Sequence, residues 1–122
     1  MNMHADFNMI IDGKAVAGAA EFDVFNPATG EAFAKAPDCN EAQLDEAVAS
    51  ARKAFPAWKK LSYDERADYL NKMGQMLIDN AGEMARLFTL EQGRPVGFAQ
   101  VEIASAGEWF QSIAKMLSLI HI

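Results

Sequence analysis

The stretch from Ser62 to Pro95 contains a clear helix-start signal, a long helical repeat of apolar residues and a clear helix-end signal. Ser62 and Glu65 have the spacing of a capping box, in which each side chain accepts a hydrogen bond from the other residue's backbone amide; such a cap stabilises a helix by about 1 kcal/mol. The apolar residues that follow recur at steps of three and four: Ala67, Leu70, Met73, Leu77, Ile78 and Ala81. This spacing predicts a helix with one apolar face that another surface must cover.

The same stretch predicts a second helix and its end. Asn80 is placed to end the first helix and to cap the next. Gly93 can adopt the left-handed conformation that follows a helix, and Pro95 suits the start of a further helix. The apolar face of the second helix is formed by Met84, Leu87, Phe88 and Leu90. We therefore expect a bent helix pair followed by another helix.

A β-hairpin is predicted near the start of the chain. Asp12 and Gly13 separate two short runs, 9–11 and 14–16, that contain apolar residues. An Asp-Gly pair in this setting favours a two-residue hairpin turn.

A second hairpin is predicted between residues 22 and 36. The runs 22–25 and 31–36 contain β-forming side chains. In the turn between them, Pro27 presets one φ angle, Asn26 can bond its own backbone two residues on, and Gly30 permits a positive φ.

The spacing becomes helical after the second hairpin. Asn40 is the predicted N-cap and Gln43 occupies the third helical position. The helical pattern continues to Phe55, and Pro56-Ala57-Trp58 is expected to end the helix. Its apolar face contains Leu44, Ala47, Val48, Ala51 and Phe55. Beyond Pro95, a last amphipathic helix is marked by Phe98, Val101, Ala106, Phe110, Ile113 and Leu117.

The composition fits one globular domain and limits its partners. The chain has 122 residues, of which 51% are hydrophobic, and a net charge of −6. This charge, without a basic patch, argues against nucleic acid or an anionic membrane as a partner. Residues 1–6 lack the features of a secretory signal, and no apolar run approaches the roughly 20 residues that span a bilayer. Cys39 is the only cysteine, which fits a reducing compartment and predicts a cytoplasmic protein.

Two features resemble chemical sites, but each has a simpler interpretation. Gly93 and Gly97 follow a predicted helix rather than a strand, so chain reversal and close packing are favoured over phosphate binding. Cys39 precedes a helix, where a thiolate is favoured. However, His4 and His121 lie near opposite ends of the chain, so a Cys/His pair or a histidine metal site would need both ends to converge. We interpret Cys39 as a surface or half-buried thiol.

The acidic residues around the last helix have a similar double interpretation. Arg94 is spaced to pair with Glu91, with Glu102 or with both, and Glu102 with Glu108 could form an acid/base pair. Two glutamates on a helix face without a defined pocket favour solvated ion pairs. The sequence therefore predicts structural salt bridges here.

Several short runs occur in one fixed order. They are Ile11-Asp12-Gly13, Phe22-Asp23-Val24-Phe25-Asn26-Pro27-Ala28-Thr29-Gly30-Glu31, Leu44-Asp45-Glu46-Ala47-Val48-Ala49-Ser50-Ala51-Arg52-Lys53-Ala54-Phe55 with Trp58, Glu65-Arg66 with Leu70, and Leu90-Glu91-Gln92-Gly93-Arg94-Pro95. Together they resemble the N-terminal part of the NAD(P)-dependent aldehyde dehydrogenase superfamily. Each run alone is weakly specific, but the ordered set is specific and covers nearly all of 10–117.

The resemblance implies a longer α/β enzyme with a Rossmann-like cofactor domain, of which this chain is a mostly α-helical portion with two N-terminal β-hairpins. In the family, a cysteine thiolate attacks the aldehyde, a hydride passes to NAD(P)+, and a glutamate activates water. Cys39 matches no family nucleophile, and the nucleophile and cofactor loop would lie beyond Ile122. We therefore assign no catalytic, cofactor-binding or metal-binding residue to this chain, and expect it to be inactive alone.

The resemblance also implies partners for the whole enzyme. They are an aldehyde substrate, NAD or NADP, and further copies in a homo-oligomer, with no cofactor bound tightly by this portion. Some family members bind a monovalent cation at positions matching Phe25 and Glu91. Many members have Asp where this chain has Glu91, so a structural role is favoured.

The expected organisation has three parts: a disordered tail over 1–6, the family portion over 7–117, and a truncated or non-native end over 118–122. Because the helices would cover a β-layer that this polypeptide does not contain, we expect the isolated chain to be marginally stable or to associate. The alternative is a free-standing helical interaction module that binds a partner through the apolar faces of the helices after Ser62 and Pro95.

Overall fold

The computed structural model describes residues 7–117, which form two compact units that meet in sequence at Lys60 and Leu61. The first unit holds β1 (Met9–Ile11), β2 (Lys14–Val16), β3 (Ala20–Phe25), β4 (Ala32–Asp38) and α1 (Glu41–Trp58); the second holds α2 (Tyr63–Asp79), α3 (Ala81–Gln92) and α4 (Val96–Leu117). The expected fold of this portion, mostly helical with two hairpins, is confirmed. The disorder predicted over 1–6 and the non-native end predicted over 118–122 lie outside the described residues.

The first predicted hairpin is confirmed. β1 and β2 pair antiparallel, with Met9 opposite Val16 and Ile11 opposite Lys14. Asp12 and Gly13 have φ angles of 52° and 72°. Two consecutive positive φ angles match the twist of the flanking strands, which explains the Asp-Gly pair at this turn.

The second hairpin is also confirmed, with longer strands than predicted. β3 and β4 pair antiparallel as a separate sheet, and the register shifts between Val24 and Phe25. Asn26 Oδ1 accepts a hydrogen bond from the Ala28 amide at 2.9 Å, as the Asn-Pro turn predicts, and Gly30 has a φ of 72°. The turn chemistry therefore sets the position of this hairpin.

Helix α1 starts as predicted and extends past Phe55. Asn40 Oδ1 accepts from the Gln43 amide at 2.9 Å, and the Asn40 amide donates to Gln43 Oε1 at 3.2 Å, which completes a capping box. The helix extends three residues past Phe55, so Pro56 lies inside α1, and it ends at Trp58, the last residue of the predicted Pro56-Ala57-Trp58 end. Proline removes only its own N–H from the ladder, and the Lys59 amide still donates to the Phe55 carbonyl at 2.8 Å.

The side chain of Gln43 also ties the segment between β2 and β3 to the start of α1. Gln43 Nε2 donates to the Ala17 carbonyl at 3.0 Å, and Gln43 Oε1 accepts from the Ala19 amide at 3.0 Å. Gly18 lies between these contacts, and a Cβ there would come within 2.5 Å of the Ala20 carbonyl oxygen. Only glycine fits at this position, because the backbone of Ala20 and Asp38 lies against it.

The capping box of α2 is confirmed, whereas the side chain of Asn80 acts only at the end of α2. The Glu65 amide donates to Ser62 Oγ at 3.2 Å, and the Ser62 amide donates to Glu65 Oε2 at 2.7 Å. Asn80 Nδ2 instead donates to the Met76 carbonyl at 2.8 Å, so its side chain is turned towards α2 and makes no cap bond to α3. Gly93 ends α3 in the left-handed conformation, as predicted.

The second unit packs its helices through small residues. A Cβ on Gly74 of α2 would lie 2.5 Å from the Gly107 carbonyl oxygen of α4, and a Cβ on Gly107 would lie 2.5 Å from the Gly74 carbonyl oxygen. The buried apolar residues within 61–117 are all alanines: Ala81, Ala85, Ala99 and Ala114. The two backbones thus approach closely where the glycines meet, while the larger apolar side chains remain partly exposed.

The cap of α2 makes its stability dependent on pH. Hydrogen bonds from the backbone amide and the hydroxyl of Ser62 lower the pKa of Glu65 below its ordinary value of 4.5. A lowered pKa in the folded state means that this contribution is present above pH 4.5 and is lost as the pH falls through the folded pKa. We expect Glu65→Gln to be less stable than wild type near neutral pH, and the difference to shrink under acid. Helical ellipticity during urea unfolding at several pH values measures this, and parallel curves would contradict it.

Candidate functional site

Cys39 is exposed and free. It lies in the short link between β4 and α1, directly before the N-cap Asn40. The histidines considered as its partners, His4 and His121, lie outside the described residues. No disulfide, and no group of three or more histidine, cysteine, aspartate or glutamate side chains that could hold a metal ion, is found among residues 7–117.

Gly93 and Gly97 lie where the backbone passes from α3 to α4. Gly93 is the left-handed cap of α3, and its amide donates to the Thr89 carbonyl at 2.9 Å. Gly97 lies in the first turn of α4 with open space around its Cα. The structure thus follows the interpretation of this pair as a chain reversal, since a helix rather than a strand precedes it.

Arg94 forms the predicted ion pair, and its partner is Glu102 rather than Glu91 among the residues described. The Arg94 guanidinium also lies 5.7 Å from the centroid of the Phe98 ring. Both charged side chains are 45% exposed, so solvent screens the pair and its contribution to stability is small. The contacts join the link before α4 to the first two turns of that helix, which is a structural role.

A second ion pair crosses the β3–β4 hairpin and was not predicted. Lys35 Nζ lies 2.9 Å from Asp23 Oδ1, and these residues are directly opposite each other in the strand register. The hydrogen bond and charge of Asp23 raise the pKa of Lys35. The ion pair depends on the strand register. The sequence does not specify this register, because the two strands are short and a six-residue connection joins them.

A row of exposed apolar side chains lies along one side of α4. They are Phe98, Val101, Trp109, Ile113 and Met116, which we call the α4 outer face. Trp109 is 69% exposed and Phe98 is 66% exposed. No helix within residues 7–117 combines the length and apolarity needed to cross a membrane. Exposed apolar side chains that recur on one side of a helix are typical of a face that other protein covers.

A second exposed apolar face lies on α1. Leu44, Val48, Ala51 and Phe55 recur at helical spacing, and α1 has no buried residue. We call these four residues the α1 stripe. The prediction that the apolar faces are left uncovered is confirmed for both helices, and the two faces offer contact surface rather than reactive groups.

Comparison with known sequences identifies the family. The sequence profile described as the aldehyde dehydrogenase family matches residues 15–121. The chain belongs to this family. A match of this extent confirms what the ordered runs from Ile11 to Pro95 indicated, and the chain corresponds to an N-terminal portion of the aldehyde dehydrogenase fold.

Two characterised relatives show how much of the family protein this chain represents. Glutarate-semialdehyde dehydrogenase of Pseudomonas aeruginosa is 42% identical over 97 residues, which cover 77% of this chain and 20% of that protein. The mitochondrial succinate-semialdehyde dehydrogenase of Rattus norvegicus is 33% identical over 120 residues, covering 93% of this chain and 23% of that protein. The chain therefore spans about a fifth of the length of these aldehyde dehydrogenases.

A solved structure shows the same architecture. The crystal structure of lactaldehyde dehydrogenase from Escherichia coli superposes with a TM-score of 0.86 at 32% identity, covering 92% of this chain and 24% of the crystallised chain. The fold class expected from the sequence is thus confirmed. The helices and hairpins of this chain form one part of a larger aldehyde dehydrogenase fold.

Proposed function

We propose that this chain is the structural N-terminal portion of an enzyme that oxidises an aldehyde to a carboxylic acid with NAD(P)+. The match of residues 15–121 to the aldehyde dehydrogenase family carries the proposal. In the overall reaction, the aldehyde and water give the acid, while a hydride reduces NAD(P)+ and a proton is released. The names of the relatives make semialdehydes the first substrates to test.

The residues described here do not fit a dinucleotide cofactor. Their strands form two antiparallel hairpins, and the one strand that leads directly into a helix, β4, is linked to α1 by Cys39 and Asn40 without a glycine-rich turn. Phosphate cradles of this class need backbone amides that approach closely at a glycine-rich strand-to-helix turn. We therefore assign neither NAD nor NADP to any residue of this chain and derive no step through the cofactor.

The same residues also lack the arrangement needed for nucleophilic catalysis. A catalytic nucleophile is commonly activated by a base within hydrogen-bond distance or by a metal, and Cys39 is an exposed thiol beside a helix cap. The contribution of this portion is instead its shape: a small glycine–alanine contact between helices and apolar faces turned outwards. We propose that the rest of the enzyme covers the α4 outer face.

A segment exchange tests this scaffold role. The aligned 97 residues of Pseudomonas aeruginosa glutarate-semialdehyde dehydrogenase would be replaced by the matching residues of this chain. We expect the chimera to keep NAD(P)H formation from glutarate semialdehyde to within about tenfold of the parent's kcat/KM, because the exchanged segment carries packing rather than chemistry. The purified 122-residue chain, assayed with glutarate and succinate semialdehydes, should form no NADH or NADPH.

Two outcomes would contradict the proposal. Aldehyde-dependent NAD(P)H formation by the purified chain would place catalytic groups within it. A chimera that is folded by circular dichroism but inactive would show that this segment contributes more than scaffold. A matched chimera carrying Gln100→Ala, an exposed position on α4, controls for the handling of exchanged proteins and should behave like the unsubstituted chimera.

For the whole enzyme we also propose a homo-oligomer located in the cytoplasm. The family resemblance supports the assembly, and one exposed cysteine without a disulfide among the described residues supports a reducing compartment. Light scattering on the chimera would contradict the first point if it gave a monomer, and secretion of the native protein would contradict the second. The family match favours this enzyme over the free-standing helical interaction module.

A further inference from the structure

The turn between β1 and β2 contains the only Asp-Gly sequence of the chain, Asp12-Gly13, and the chain has no Asn-Gly sequence. Both turn residues are exposed. They lie outside the strand pairing, which ends at Ile11 and Lys14. A Cβ on Gly13 would meet no atom within 4 Å. The Asp12 carboxyl group and the Gly13 amide are therefore neighbours on an open turn, where glycine has no side chain to shield its nitrogen.

The Asp12 side chain is also bonded to the helix of the first unit. Ser50 Oγ on α1 donates to Asp12 Oδ1 at 3.3 Å. Ile11, directly before Asp12, is buried with 5% exposure, and β1 contacts α1. A chemical change at Asp12 would therefore reach the packing of β1 against α1.

We propose that Asp12 is a modification site at which aspartate converts spontaneously to isoaspartate through a succinimide, and that Ser50 slows this conversion. The Gly13 nitrogen attacks the carbon of the protonated Asp12 carboxyl group, and a C–N bond forms. The carboxyl hydroxyl leaves with the amide proton as water, which completes the succinimide ring. Water then opens the ring at the α-carbonyl to give isoaspartate, or at the side-chain carbonyl to restore aspartate. The net reaction is an isomerisation that needs no oxidant, reductant or enzyme.

Ser50 acts on this reaction as a positioning residue. Its hydroxyl holds the Asp12 carboxyl group towards α1, whereas ring closure fixes the same side chain against the Gly13 nitrogen. The hydrogen bond must therefore break before the ring can form, and the free energy of that bond is added to the barrier.

Isoaspartate would change the hairpin. It adds one methylene group to the main chain before Gly13 and leaves the former α-carboxylate as the side chain. The φ angles of 52° and 72° in this turn suit two residues with ordinary peptide links. The longer main chain no longer fits the register in which Ile11 lies opposite Lys14, so we expect β1 and β2 to loosen from α1. This inference does not depend on the proposed aldehyde oxidation.

Ageing of the full 122-residue chain for several weeks at physiological temperature tests the site. Isoaspartyl methyltransferase with labelled S-adenosylmethionine measures the isoaspartyl groups, and electron-transfer fragmentation of the tryptic peptide 1–14 assigns them. We expect isoaspartate at Asp12. Asp23 is the internal reference and should stay unchanged, because it precedes the branched Val24. Asp12→Glu should remove the signal from this peptide, because the longer side chain closes the corresponding ring poorly.

A serine variant tests the restraint. Ser50→Ala should convert about threefold faster than wild type, since an exposed hydrogen bond of this length is at the weak end of the usual range. Ser112→Ala, at an exposed serine on α4, should convert at the wild-type rate. In concentrated urea, wild type and Ser50→Ala should convert equally fast, because the contact exists only in the folded chain. Circular dichroism verifies that both variants keep wild-type helicity.

Three results would overturn the proposal. Conversion at Asp12 no faster than at Asp23 would show that the turn is not a modification site. A wild-type rate in folded Ser50→Ala would remove the role of Ser50. A faster rate of Ser50→Ala that persists in urea would show that the substitution acts without the hydrogen bond.

Discussion

Replacing Gly107 with alanine is expected to destabilise the helical unit by about 3 kcal/mol, although the same change inside an isolated helix stabilises it by roughly 1 kcal/mol. A Cβ at Gly107 would lie 2.5 Å from the Gly74 carbonyl oxygen and 2.7 Å from Ile78 Cγ1. Because the first of these atoms belongs to the α2 backbone, no side-chain rotation relieves the clash. The helices must separate, which weakens every contact along their crossing. Urea unfolding followed by helical ellipticity measures the change.

Gly97→Ala is the matched control for this prediction. Gly97 lies in the same helix, and a Cβ there meets no atom within 4 Å. Only the backbone entropy of glycine changes, so this variant should be neutral or more stable by up to about 1 kcal/mol. Gly74→Ala should behave like Gly107→Ala, since its Cβ would lie 2.5 Å from the Gly107 carbonyl oxygen. Equal stabilisation by all three variants would show that the glycine crossing does not limit helix approach.

Local features of this fold were predictable because their causes lie within a few residues. The Asp12-Gly13 turn, the Asn26 turn and the caps at Asn40 and Ser62 each follow from one side chain bonding or freeing nearby backbone. The family likewise followed from the order of short runs, which needs no knowledge of packing. Asn80 is an exception, because two local roles are open to its side chain. It can bond the helix before it or cap the helix after it, and in the structure it bonds the helix before it.

Features that depend on which surfaces meet were not predictable. Gly74 is one of several glycines at helical positions, and nothing in the sequence distinguishes it from Gly97 until α2 and α4 cross. The Asp23–Lys35 pair depends on strand register in the same way. For the functional site, the family resemblance indicated correctly that apolar faces of α1 and α4 would be exposed, because it implied that these helices cover a β-layer outside this polypeptide. It did not show which residues of those faces are exposed.

Gln43 has two roles, and the sequence predicted only one of them. The capping box is visible from the spacing, but the bonds to the segment between β2 and β3 are not. The Gln43 side chain makes three hydrogen bonds to backbone: one with Asn40 at the helix start, and two with Ala17 and Ala19 in the segment between β2 and β3. This segment lies 24 to 26 residues from Gln43 in sequence. The side chain therefore connects both hairpins to the helix.

Gln43→Ala is accordingly expected to destabilise the first unit by about 2 kcal/mol, because three backbone groups lose their partner together. Amide hydrogen exchange should show faster exchange at Ala19 and Asn40, the two amides that donate to Gln43 Oε1. Gln43→Glu keeps those acceptors and loses only the donor to the Ala17 carbonyl, so both amides should stay protected and the loss of stability should be smaller. Gln100→Ala, an exposed glutamine on α4, should change neither measurement. Unchanged exchange at Ala19 in Gln43→Ala would show that the hairpins are held to α1 by other contacts.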